Sequence, residues 1–155
     1  MSLFEQTNIA RREIALLDGG RSSAASAVAR GTARLLRSLG FCTVAELPLA
    51  YGRRADLVGL GGNGEIVIVE IKSSVADFRA DRKWLDYRRH CDRLFFATSL
   101  GVAREIFPID AGVIVADAYG AVIEREAPEH RLSAATRRSM TLRFARAAAL
   151  RLSEQ

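Results

Sequence analysis

Two strand-like runs joined by a glycine-rich segment constrain the fold of this chain more than any other feature. The runs cover residues 55–60 and 65–71, and the segment between them, 61–64, reads GGNG. Glycine and asparagine adopt the positive φ angles of tight hairpin turns, so the pattern predicts an antiparallel hairpin. The second run, EIVIVEI, is rich in β-branched residues and is typical of a strand that is covered on both faces. We therefore expect a sheet built around this hairpin.

The rest of the chain alternates between helical and strand-like patterns. Apolar residues recur every three or four positions over residues 23–39, which predicts an amphipathic helix. The other predicted elements are a strand over 41–49, a helix over 75–89, strands over 93–98, 112–116 and 121–124, and a helix over 133–152. An antiparallel meander followed by a helical crossover implies an α/β fold, a mixed central β-sheet flanked by helices with the core order α-β-β-β-α-β.

Length and composition exclude several classes of protein. One domain is expected for 155 residues, with a peripheral arm or helix over 1–21, a core over 22–116 and a C-terminal extension over 117–155 that ends in a basic helix. Two cysteines and two histidines are too few for a disulfide scaffold or a His-rich metal site. No run approaches the roughly 20 apolar residues of a membrane span. The first 20 residues are too charged for a signal peptide, so a cytoplasmic location is expected.

Three charged residues interrupt the strands of the hairpin. Asp56, Glu70 and Lys72 lie in otherwise apolar runs, where an unpaired charge is costly. The two-residue period of a strand places Glu70 and Lys72 on one face. A three-residue loop with Gly64 in the left-handed conformation would place Asp56 opposite Glu70, with Cβ atoms about 5 Å apart. A two-residue loop would shift the register by one and separate them.

Two facing carboxylates suit a hard divalent cation. Mg²⁺ takes oxygen ligands and commonly uses only one or two carboxylates, and the backbone carbonyl of Ile71 could supply another ligand. Lys72 could then orient an attacking water or stabilise charge on a phosphate, which suits hydrolysis of a phosphodiester. The alternative is that Asp56, Glu70 and Lys72 form a structural ion pair with a neighbouring acid.

The motif RRAD at 53–56 and the motif VEIKSS at 69–74 together resemble the PD-(D/E)xK nuclease superfamily, with Ala55 in place of the proline. The longer stretch at 70–98 resembles the MmcB-like family of bacterial DNA repair proteins. The resemblance implies a restriction-endonuclease-like core in which Asp56 and Glu70 bind Mg²⁺ or Mn²⁺ and Lys72 assists the attack. It also makes Glu46 a candidate for a further acid, although Glu46 could equally be an exposed strand residue.

The resemblance implies a DNA repair protein that hydrolyses DNA and is associated with the nucleoid. DNA is the expected partner, a homodimer would supply the two sites that cutting two strands requires, and no small-molecule cofactor is expected. The alternative is a DNA-binding or partner-binding module that keeps the nuclease fold without cutting.

Basic and aromatic side chains near the motif, and on the last helix, are candidates for DNA contacts. The net charge of +5 permits such a partner. The candidates are Arg53, Arg54, Lys83, Tyr87, Arg137 and Arg138. Each has an alternative role, because basic side chains also cover turns and helix faces that contact only water, and Tyr87 could lie beside the active site.

Overall fold

A mixed six-stranded sheet forms the centre of the molecule in the computed structural model, which describes residues 22–154. The strands lie in the sheet in chain order, with β3, β4 and β5 parallel and the other neighbours antiparallel. The elements are α1 (Ser23–Ser38), β1 (Cys42–Pro48), β2 (Arg54–Leu60), β3 (Ile66–Ile71), α2 (Val75–Ala80), α3 (Trp84–Arg88), β4 (Arg93–Thr98), β5 (Gly112–Ala116), β6 (Ala121–Arg125) and α4 (Ala134–Ser153), with short 3-10 turns at Ala50–Gly52 and Arg104–Ile106. The predicted α/β class and the core order α-β-β-β-α-β are confirmed. The arm predicted for 1–21 lies outside the described residues.

The helices cover the two faces of the sheet. Ser22 caps α1 by accepting a hydrogen bond from the backbone N–H of Ala25. The apolar side of α1 packs against one face, and α2, α3 and α4 cover the other. No helix among residues 22–154 is long and apolar enough to cross a membrane.

The hairpin between β2 and β3 has the register predicted for a three-residue loop. Gly64 has a φ of +84°, and Gly61 and Glu65 close the loop through a backbone hydrogen bond of 2.9 Å. The paired residues run from Leu60↔Ile66 to Leu57↔Val69. The same register places Asp56 opposite Glu70, just beyond the last pair.

Gly64 should therefore contribute to stability through its backbone conformation. Replacing Gly64 with alanine is expected to lower the free energy of unfolding by about 1 kcal/mol, because a Cβ atom disfavours positive φ. Urea unfolding measures the change. Gly62→Ala is the matched control, since Gly62 has open space around its Cα atom and no positive φ. Equal effects of the two substitutions would contradict this role of Gly64.

The helix predicted over 75–89 is in fact two short helices, α2 and α3, separated by residues 81–83. Asp81 has extended backbone angles, with φ −88° and ψ 112°. Its carboxylate accepts a hydrogen bond of 2.7 Å from the backbone N–H of Lys83. Such local side-chain bonds compete with helical ones, and here they end the first helix.

A buried ion pair fastens the start of α4 to the hairpin. Both Nη atoms of Arg137 donate to Asp92 at 2.7 Å, and Asp92 also accepts from the backbone N–H groups of Ile66 and Leu132. Burial raises the pKa of Asp92, but the bonds from Arg137, Leu132 and Ile66 outweigh it and lower the pKa to about 2. Arg137 further donates to the carbonyl of Gly64 at 2.8 Å. We call this arrangement the Asp92–Arg137 clamp.

The clamp gives Arg137, which the sequence suggested as a DNA contact, partners within the protein. The clamp lies at the start of β3, about 13 Å along the strand from Glu70. The guanidinium of Arg137 is committed to Asp92 and Gly64. Its neighbour Arg138 is exposed on the same helix.

Candidate active site

The backbone ladder between β2 and β3 ends at Leu57↔Val69, and two carboxylates continue it. Oε1 of Glu70 accepts a hydrogen bond of 3.1 Å from the backbone N–H of Asp56. Oδ2 of Asp56 accepts one of 2.8 Å from the backbone N–H of Ile71. Each acid therefore binds the backbone of the opposite strand, and the two carboxylates are held next to each other.

Glu70 is buried in the sheet, beside a strand residue that belongs to an aromatic cluster. Only 3% of the residue is exposed, and its neighbour in β4 is Phe96. The ring of Phe96 makes edge contacts with Phe78 and Trp84, at centroid distances of 5.3 and 5.9 Å. Burial raises the pKa of Glu70 well above its usual value, and the charge of Asp56 raises it further. The site thus disfavours two negative charges unless a cation accompanies them.

The ammonium of Lys72 is ion-paired with Asp81. Its Nζ atom lies 2.6 Å from Oδ2 of Asp81, and both side chains are 12% exposed. The backbone N–H of Lys72 donates to the carbonyl of Ala97 at 2.9 Å, which extends the pairing of β3 with β4 by one residue. Asp81 was not among the residues suggested by the sequence, because a continuous helix over 75–89 gave it no special place. Its signal was the charged triplet Asp81-Arg82-Lys83 in the middle of that helix.

These side chains surround an open pocket of about 420 Å³. It brings together most of the residues that the sequence suggested. Its walls include Arg54, Asp56, Glu70, Ile71, Lys72, Lys83 and Tyr87, together with Asp77 and Asp81.

Tyr87 and Arg53 support the pocket through contacts within the protein. The phenol of Tyr87 donates a hydrogen bond of 3.1 Å to the carbonyl of Arg54. Burial raises the pKa of Tyr87, and the charges of Glu70 and Asp56 raise it further, so the phenol keeps its proton. Arg53 is ion-paired with Asp86 in α3 at 2.9 Å.

Glu46 lies opposite Asp56 but does not reach the pocket. The pairs Ala45↔Leu57 and Leu47↔Ala55 flank it, and its φ is +53°. Its carboxylate is 2.5 Å from Nε of Arg54. The structure thus places Glu46 beside Arg54, outside the walls of the pocket.

The chemistry of the pocket fits a hard divalent cation with few protein ligands. Among residues 22–154, no group of three His, Cys, Asp or Glu side chains is arranged to hold a metal ion. Mg²⁺ is often bound through one or two carboxylates, with water and substrate phosphate oxygens as its other ligands. The adjacent carboxylates of Asp56 and Glu70 in an open pocket match that pattern.

Comparisons with known proteins indicate the family. The solved structure of the SPO1766 protein of unknown function from Silicibacter pomeroyi is 46% identical over 84% of this chain and 90% of that chain, with a TM-score of 0.81. A repair endonuclease from Pyrococcus abyssi is 18% identical over 57% of this chain and 42% of that chain, with a TM-score of 0.38. A comparison with curated proteins finds no match. The family model for DNA repair protein MmcB-like matches residues 12–155. The chain therefore belongs to the MmcB-like DNA repair protein family.

Proposed function

We propose that this protein is a metal-dependent nuclease that hydrolyses phosphodiester bonds of DNA during repair. The observation that carries the proposal is the pair of adjacent carboxylates, Asp56 and Glu70, in an open pocket that also contains Lys72. A buried glutamate beside a partly buried aspartate and an ammonium is costly to maintain for structure alone. The carboxylates suit a divalent cation, and the ammonium suits the charge of a phosphate under metal-assisted attack.

Each residue of the pocket has a distinct role in this proposal. Asp56 and Glu70 bind Mg²⁺ or Mn²⁺, with the carbonyl of Ile71 as a further ligand. The bound ion supplies Lewis-acid activation of the phosphodiester and of the attacking water. Lys72 directs its positive charge at the phosphate, where negative charge builds up during the attack.

The rim of the pocket supplies candidates for contacts with the DNA backbone. Lys83 and Arg54 both line the pocket. Lys83 is exposed, and two thirds of the Arg54 side chain is exposed. Their charges suit phosphate oxygens. In this proposal Tyr87 orients Arg54 through its hydrogen bond to the Arg54 carbonyl, and Arg53 holds the same segment to α3.

A second candidate function is a DNA-binding module that does not cut. The ion pair between Lys72 and Asp81 favours this alternative, because it occupies the ammonium that the nuclease requires. The two functions make different predictions: a nuclease cuts DNA when metal ions are added, and a binding module does not.

Cleavage assays on a panel of DNAs test the proposal. Labelled single-stranded, duplex, nicked, flapped and branched DNAs are incubated with the protein in Mg²⁺, Mn²⁺ or EDTA. We expect metal-dependent cutting of at least one substrate. Lys72→Met is expected to lower kcat by about 100-fold or more, because it removes the charge that stabilises the transition state.

The chain offers a matched control for Lys72, since its only other lysine is Lys83. Lys83→Met is expected to raise KM for DNA and to leave kcat largely unchanged, because it removes a phosphate contact at the rim. Wild-type protein that binds DNA but cuts none of the panel in either metal, with Lys72→Met binding equally well, would favour the non-cutting module.

A further inference from the structure

The ion pair between Lys72 and Asp81 has no counterpart in the motif that suggested the site. Asp81 follows α2, nine positions after Lys72, and the two charged groups are 2.6 Å apart at the wall of the pocket. Both side chains are largely buried, which restricts the lysine to few positions.

Asp81 is fixed by contacts that do not involve Lys72. Its backbone N–H donates to the carbonyl of Phe78 at 3.0 Å, and its other carboxylate oxygen accepts from the backbone N–H of Lys83 at 2.7 Å. The ring of Phe78 is in turn packed edge-on against Phe96 and Phe107, at 5.3 and 5.1 Å. The carboxylate is therefore a rigid anchor, whereas the lysine side chain is long and flexible.

The anchor matters because other carboxylates lie within reach of the same ammonium. Lys72 follows Glu70 by two positions, so both side chains leave the chain on the same side of the sheet, and both line the same pocket. A lysine without Asp81 would find its best partner in the buried Glu70, since an ion pair there is screened least. An ammonium bound to Glu70 would compete with any cation for that carboxylate.

We propose that Asp81 is a positioning residue that holds the ammonium of Lys72 away from Asp56 and Glu70, so that these two carboxylates can bind a divalent cation. The inference rests on the proposed function, and it assigns the ion pair a role within that function. Asp81 touches neither metal nor DNA in this scheme and acts through Lys72.

A double-mutant cycle on metal affinity tests the inference without any cleavage. Mn²⁺ is titrated into wild type, Asp81→Asn, Lys72→Met and the double variant, and free Mn²⁺ is followed by its electron paramagnetic resonance signal. We expect Asp81→Asn to weaken Mn²⁺ binding about tenfold in the wild-type background and less than about twofold in the Lys72→Met background. The effect is small in the Lys72→Met background because no ammonium is left there to compete with Mn²⁺ for Glu70.

Two further variants separate positioning from folding. Asp81→Glu keeps the carboxylate and is expected to restore Mn²⁺ binding to within about threefold of wild type. Arg82→Ala, on the same segment, is expected to leave Mn²⁺ binding unchanged. Thermal unfolding of every variant shows whether the fold is intact.

Each outcome of the cycle gives a definite answer. An equal loss of affinity from Asp81→Asn in both backgrounds means that Asp81 contributes only its negative charge, and the inference is then wrong. A wild-type protein that binds no Mn²⁺ contradicts the proposed function itself, and the positioning role with it. If the protein binds Mn²⁺ with the expected coupling but cuts no DNA, the positioning role of Asp81 is supported. Only the proposed cleavage of DNA is then contradicted.

Discussion

Glu70→Gln should abolish metal-dependent cutting and at the same time stabilise the metal-free protein. Loss of a metal-binding carboxylate is expected to reduce cleavage at least about 100-fold, since even partners of metal ligands contribute 10–100-fold. Glutamine keeps an oxygen that can accept the hydrogen bond from the backbone N–H of Asp56, so the contact between the strands remains. The substitution removes the negative charge of Glu70, which burial and the neighbouring charge of Asp56 disfavour.

The gain in stability follows from the raised pKa of Glu70. The folded protein holds the proton of Glu70 to higher pH than the unfolded chain does, so the free energy of unfolding falls as pH rises above the usual pKa of a glutamate. Glutamine does not ionise and escapes this loss. In EDTA at pH 8 we expect Glu70→Gln to be more stable by about 1 kcal/mol, which raises Tm by about 2–4 °C. Below pH 4 the difference should disappear.

Mn²⁺ should reverse the order of the two proteins. Binding to the folded state stabilises the wild type in proportion to the logarithm of the Mn²⁺ concentration, and the variant lacks the site. Glu124→Gln is the control, because it removes a carboxylate from an ion pair with Arg104 at the surface, on β6. A variant less stable than wild type in EDTA at pH 8 would show that Glu70 is a structural ion-pair partner.

Breaking the Asp92–Arg137 clamp should have the largest effect on stability. Arg137→Leu leaves the Asp92 carboxylate buried without its counter-ion, a change that typically costs about 3–5 kcal/mol. The low pKa of Asp92 makes part of this stability dependent on pH. With a pKa of about 2 in the folded state, Asp92 contributes about 2–3 kcal/mol at neutral pH, which is lost as pH falls from about 4 to 2.

Urea unfolding between pH 2 and 7 measures both effects. Arg138→Leu is the matched control, because Arg138 is the next residue on the same helix and is exposed. It is expected to change stability by less than about 0.5 kcal/mol. If Arg137→Leu is as mild as Arg138→Leu, then the clamp does not hold α4 in place.

The sequence indicated the strands and the charged residues at the centre of the site, but not the register between the two strands that carry them. The glycine-rich hairpin left two registers open, and the structure has the one for a three-residue loop, which places Asp56 opposite Glu70. Such local rules work because each side chain of a strand points to one face of the sheet, and a shift of one residue would move it to the other face.

Contacts between distant segments were beyond such rules. Asp81 pairs with Lys72 only because the helix over 75–89 breaks, and that break depends on a side-chain bond to the backbone. Arg137 looked like a surface arginine because its partner, Asp92, precedes a strand 45 residues earlier. Glu46 was a candidate acid, but it is paired with Arg54 on the neighbouring strand. Glu46 also has a positive φ, which its place in a strand-like run did not indicate.

The register of the hairpin also limits how this protein can be altered. Exposed hairpin loops are usually favourable places for insertions, tags and grafted sequences. Here an odd number of added residues that propagated into β2 would turn Asp56 to the opposite side of the sheet, away from Glu70. Segment 61–64 should thus tolerate changes of sequence that respect the backbone angle at Gly64, but not changes of length that shift β2 against β3. For library design, its length should be treated as part of the proposed active site.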